Sequence, residues 1–130
     1  MLHDIGLLFR DPLEPNYLKR GAALVEPLTG PWGLNGDATR DLREVLLYSH
    51  ALVAPSGLGP TAELFRRAVQ VEHSFGRRRH GLSKGLCRDI FAQYPRLRFN
   101  QVLADFFKTT VLDDGVAQLL PIFFPRFVAT

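Results

Sequence analysis

The chain has a single cysteine, Cys87, in 130 residues, and a single tryptophan, Trp32. One thiol can form no intramolecular disulfide and no multi-thiolate zinc site. Lysine is scarce as well, with three Lys against thirteen Arg, so nearly every cation carries the planar guanidinium fork. Long hydrophobic runs are missing. No stretch approaches the ~18 uninterrupted apolar residues of a spanning helix. The opening residues carry no basic n-region, and Asp4 breaks their short apolar run, which makes a poor signal peptide. Alternation of apolar and polar residues with period two is nowhere sustained, which removes a sheet as the main architecture. No His-Glu-x-x-His is present and no two histidines stand at i, i+4. The glycines Gly30, Gly33 and Gly36 follow no strand and precede no Lys-Ser/Thr, so they read as a loop with a cap rather than a phosphate cradle. These absences lead to the expectation of a cytoplasmic protein with no cofactor and no metal.

What remains is an ordinary globular composition, 46% hydrophobic and 22% charged. The length fits one domain over 1–130, read as an arm (1–36), a helical body (37–120) and a tail (121–130). The arm alternates Pro12, Pro15, Pro27 and Pro31 with glycines and reads as irregular, with room for a short helix near 17–25. Trp32 and Leu34 are expected to fold back as anchors.

The body reads as a small all-α bundle of four main helices. The first, 38–53, has Asp37 as its cap and an apolar surface nearly all round its second half. The second begins at Pro60 and stops at Gly76. Its Leu64, Ala68, Val71 and Phe75 form the expected inward face, with Arg66, Arg67, Gln70 and His73 opposite. The third, 83–93, is capped by Ser83 and ended by Pro95, with Leu86, Cys87, Ile90, Phe91 and Tyr94 expected inside. A fourth covers 97–108. A short turn of helix over 116–120 then gives way to an extended apolar tail broken by Pro121 and Pro125.

Charge is distributed unevenly. Residues 1–65 carry a net −3 and residues 66–130 a net +6. Arg66, Arg67, Arg77, Arg78, Arg79, Lys84 and Arg88 are the expected anion-binding set, suited to nucleic-acid backbone or an acidic protein face. Helices three and four also suggest a helix-turn-helix pair, with Arg96, Arg98, Asn100 and Gln101 near the second start. Their very short turn argues against it.

The second concentration is aromatic. Seven of the ten Phe lie in the last forty residues. Phe106 and Phe107 are adjacent on one helix and point about 100° apart, so one core can hardly hold both. With Phe123, Phe124 and Phe127 they form the expected partner interface. An internal alternative is that the N-terminal apolar residues cover them. Cys87 reads as a small core residue, and His50 as the least implausible base of an enzyme, which would need a pocket converging on it. The expected function is a non-catalytic interaction subunit or adaptor of a larger assembly, with protein partners or a second copy of itself. The alternative is an autonomous nucleic-acid binder using Arg66 to Arg98.

Overall fold

In the computed structural model, residues 2–8, 11, 13–14, 16–113 and 115–125 are described. They are mostly helical, and no strand occurs among them. A 3-10 segment (Leu2–Leu8) leads into α1 (Tyr17–Ala23) and α2 (Val25–Thr29), and a 3-10 turn (Gly30–Trp32) follows. Then come α3 (Gly36–Tyr48), α4 (Pro60–His73), α5 (Lys84–Gln93) and α6 (Phe99–Asp113). A 3-10 turn (Val116–Leu119) and the short α7 (Leu120–Phe123) close the described chain.

The N-terminal arm is therefore not irregular. Asn16 caps α1, its side chain accepting from the Leu18 amide at 2.9 Å. Tyr17, Leu18, Ala22 and Val25 are then buried, and they form the middle of both apolar clusters. Tyr17 and Leu18 pack with Ile122 of α7, while Ala22 and Val25 pack with Leu46 of α3. The arm is core because its apolar residues fall on one side of a two-turn helix, which the surrounding prolines do not interrupt. The Leu2–Leu8 segment crosses α1 at a glycine pair. A Cβ on Gly6 would overlap the Tyr17 carbonyl oxygen, and one on Gly21 would stand 3.4 Å from the Gly6 amide nitrogen. The Arg20 guanidinium pins the crossing, with Nε donating to the Gly6 carbonyl at 3.2 Å and Nη1 to the Glu14 carbonyl at 2.6 Å. Trp32 and Leu34 remain exposed, so they do not act as anchors.

Helix α3 is capped by Asn35 rather than Asp37, the Asn35 side chain accepting from the Ala38 amide at 2.8 Å. It stops at Tyr48, five residues before the expected end. Beyond it the backbone groups are taken by other elements. The Leu52 amide donates to the Phe123 carbonyl of α7 at 2.9 Å. The Ala51 carbonyl accepts from Arg66 at 3.0 Å and from Gln70 at 2.6 Å. Two acids of α3 also hold the start of α4: Glu44 accepts from the Gly59 amide at 2.8 Å and Asp41 from the Thr61 hydroxyl at 3.1 Å.

The orientation of α4 is the reverse of the expected one. Its buried residues are Ala62, Arg66, Val69 and Gln70, while Leu64 is 71% exposed and Phe75 is also exposed. Hydrogen bonding to the Ala51 and Leu52 carbonyls of the turn after α3 turns the polar seam inward, since a buried unpaired carbonyl costs about as much as an apolar side chain gains. Helix α5 starts at the expected cap, with Ser83 accepting from the Leu86 amide at 3.0 Å. Only one side of it is covered. Cys87 is buried and Phe91 half-buried, whereas Leu86, Ile90 and Tyr94 face outward. Helix α6 begins at Phe99 and continues to Asp113. The tail is not extended at its start, because Pro121 sits in the first turn of α7, where it loses no hydrogen bond.

Candidate functional site

Helices α4 and α6, the α1 start, α7 and the Leu2–Leu8 segment line a half-open cavity of about 390 Å³. Most of its wall is apolar, from Phe65, Val69, Val102, Leu103, Leu119 and Ile122. One continuous arc of rings runs along it. Phe99 meets His73 at 5.5 Å between centroids, His73 meets His50 at 5.1 Å, and His50 meets Tyr17 at 6.3 Å. Tyr17 then meets Phe106 at 6.0 Å, Phe106 meets Phe107 at 5.8 Å, and Phe107 stacks on Phe123 at 5.8 Å. Six contacts thus join seven rings, mostly edge to face, the arrangement that ring quadrupoles prefer.

The polar groups gather at one end. Asp4 Oδ1 lies 3.5 Å from His50 Nε2, with the carboxylate partly exposed at the rim. His73 Nδ1 bonds the Val69 carbonyl at 2.9 Å, so Nδ1 carries the proton and Nε2 keeps its lone pair in the neutral ring. Burial and the neighbouring His50 hold the His73 pKa below the usual histidine range. Burial, with Asp4 close by, pushes the Tyr17 phenol well above its ordinary value, so it stays protonated. Glu72 is already engaged, accepting from Arg96 Nε at 2.7 Å.

Arg96, which the helix-turn-helix reading placed at a groove-facing start, is turned into the protein. Its guanidinium lies 4.3 Å over the Phe75 ring and 5.0 Å over the Phe99 ring. Its Nη1 and Nη2 are buried with no hydrogen-bond partner, so the ring faces supply the attraction that water would otherwise give. The link between α5 and α6 holds five residues, 94–98, with Leu97 at a positive φ of 48°. Arg98, Asn100 and Gln101 are exposed.

The seven expected anion-binding residues separate into two groups. Arg66 is 5% exposed and fully occupied. It pairs with Glu63 at 2.7 Å and donates to the Ala51 carbonyl, so it is withdrawn from any surface role. Arg67 is exposed but bonds the same carboxylate at 2.6 Å. These two guanidinium groups hold the Glu63 pKa down to about 2. Arg77, Arg78, Arg79, Lys84 and Arg88 are all exposed, on the α4–α5 connector and the start of α5. Among them Arg88 reaches Asp89 at 3.0 Å.

The expected Phe interface is also redistributed. Phe106, Phe107 and Phe123 are half-buried and turn toward one another along the cavity, and Phe124 is half-buried as well. Phe127 lies outside the described residues. The apolar surface that stands out instead is at α5. Leu86 and Ile90 stand at i, i+4 on the helix, Leu82 precedes its cap and Tyr94 ends it, and all four are exposed.

Sequence reasoning singled out His50 but missed Asp4, Tyr17 and His73. One signal was available. Arg66, Gln70 and His73 stand at i, i+4 and i+7, a polar stripe as regular as the apolar one beside it. Among the described residues no group of three or more His, Cys, Asp or Glu is placed to hold a metal ion, and no helix is long and apolar enough to cross a membrane. No protein-family model, curated protein or solved structure matches the chain.

Proposed function

We propose that the chain is a non-catalytic interaction subunit that docks an acidic amphipathic segment of a partner protein on α5. The observation that carries this reading is that Leu82, Leu86, Ile90 and Tyr94, in and next to α5, are all exposed, as are Arg77, Arg78, Arg79, Lys84 and Arg88 on the preceding connector and on α5 itself. An apolar stripe edged with cations matches a partner helix whose apolar face is edged with acids.

The exposed cations favour one second reading, contact with nucleic-acid backbone. Four or five neutralised phosphates would cost two to three orders of magnitude in affinity between about 50 and 200 mM salt. One experiment separates the two: light-scattering mass of the purified chain at low and high salt, with absorbance at 260 and 280 nm. Self-association through α5, abolished by Ile90→Asp, supports the interaction reading. Co-purified nucleic acid that salt removes overturns it in favour of the second. A clean monomer at both salts removes the self-association form, and titration with acidic amphipathic peptides then decides the rest.

A further inference from the structure

The aromatic cavity is separate from the α5 surface, and its volume is more than twice that of a cavity that holds benzene, about 150 Å³. Ring faces and aliphatic side chains make up most of its wall. Two neutral polar groups on that wall have hydrogen-bonding capacity left over. Tyr17 is only 6% exposed and lines the cavity, yet among the described residues its hydroxyl makes no hydrogen bond. A buried hydroxyl without a partner is costly, so this one is a position that a ligand can complete. His73, on the same wall, commits Nδ1–H to the Val69 carbonyl at 2.9 Å, which leaves the Nε2 lone pair as the ring's acceptor. Burial keeps the Tyr17 phenol protonated and favours the neutral His73 ring.

We propose that this cavity binds a neutral phenol, an aromatic body carrying one hydroxyl and a short apolar substituent. The body lies among the Phe106 and Phe107 rings, Val102 and Leu103, where edge-to-face contacts are available. Its hydroxyl accepts from the Tyr17 O–H and donates to His73 Nε2. Tyr17 supplies a donor and His73 an acceptor, and a hydroxyl answers both with a single oxygen. A hydrocarbon of the same shape would fill the wall and leave both protein groups unmade. An ether could accept from Tyr17 but give nothing to His73.

The test is calorimetric titration of the whole chain with para-propylphenol, para-propylanisole and propylbenzene, which share one aromatic body. Saturable binding of the phenol is expected, roughly tenfold tighter than that of propylbenzene because two hydrogen bonds are gained, with the anisole between them. Tyr17→Phe removes one oxygen and no hydrogen bond of the free protein. It should bring the phenol's affinity down toward the anisole's or below and leave propylbenzene binding unchanged. No saturable binding of the phenol, as for a cavity that holds water alone, would overturn the proposal. So would equal affinity for phenol and hydrocarbon, an anisole that binds as tightly as the phenol, or a phenol preference that survives Tyr17→Phe intact. If Tyr17→Phe loses helicity by circular dichroism, the order of the three ligands on the native chain decides alone: phenol, then anisole, then hydrocarbon supports the proposal, and any other order overturns it.

Discussion

Arg66 donates through Nη1 to the main-chain oxygen of Ala51 at 3.0 Å, and this bond between a side chain of α4 and the turn after α3 fixes how the two helices face each other. Gln70 donates to the same oxygen at 2.6 Å. The guanidinium closes on Glu63 through both Nε at 2.7 Å and Nη2 at 2.9 Å, so its charge is paired while it is buried. An arginine placed in this way is a structural element. It is no longer a surface cation.

Arg66→Ala is therefore expected to lower stability by about 3 kcal/mol, the range for removing one member of a buried ion pair. Arg67→Ala, at an exposed position, should change it by less than about 0.5 kcal/mol. Urea titration followed by circular dichroism distinguishes them. Equal small effects would show that Arg66 is solvent-facing after all.

The half-buried histidine His73 predicts a pH dependence with a definite sign. His73 has its pKa lowered in the folded chain, by burial first and by His50 next. The unfolded chain then binds the proton more readily, so stability is full above about pH 6.5 and falls as pH drops through the folded value. His80 is shifted the same way, by partial burial and by Arg66 and Arg67, and adds to the same window. His73→Gln should flatten part of the decline below about pH 6.5, and adding His80→Gln should flatten more of it. Glu63 acts lower down. Its stabilisation is present above its ordinary value of 4.5 and is lost as pH falls through about 2. A native midpoint that does not move between neutral and mildly acidic pH would contradict the burial of His73.

Glycine is required at two places for different reasons. Gly6→Ala should detach the Leu2–Leu8 segment from α1, because the new Cβ would overlap the Tyr17 carbonyl oxygen. Hydrogen exchange should then accelerate in residues 4–8. Gly76 ends α4 at a φ of 71°, and an added Cβ would stand 3.2 Å from Phe91 and 3.3 Å from the Cys87 Cβ. Gly76→Ala is expected to cost about 2 kcal/mol, from left-handed strain and the crowding of α5. Thermal unfolding checks the second effect. A neutral Gly76→Ala would mean that α5 does not pack there.

On the outer face of α5, Ile90→Asp should leave stability within about 0.5 kcal/mol of the native chain and abolish association, as measured by light scattering. Arg77, Arg78 and Arg79 changed together to Ala should reduce the salt dependence of binding to an acidic partner without lowering the unfolding midpoint. If Ile90→Asp unfolds the chain, Ile90 is a core residue and the stripe is not a surface.

Local signals in the sequence determined much of the molecule. Pro60 placed the start of α4, Ser83 and Pro95 bounded α5, and helical spacing without period-two alternation made the chain all-α, because caps, prolines and periodicity act over a few residues. The alternation of proline and glycine in residues 11–36 masked α1, whose seven residues bury enough through Tyr17, Leu18 and Ala22 to hold it. The direction in which α4 faces was beyond the sequence. Its apolar and polar stripes are equally regular, and the choice between them depended on which one could satisfy the Ala51 and Leu52 carbonyls, fourteen to nineteen residues away. That choice carried His73 inward beside His50 and left Leu64 and Phe75 outside. The cavity arose in the same way: Asp4, Tyr17, His50, His73 and Phe106 are spread over the whole chain, and only long-range packing brings a carboxylate, two imidazoles and a wall of rings to one place.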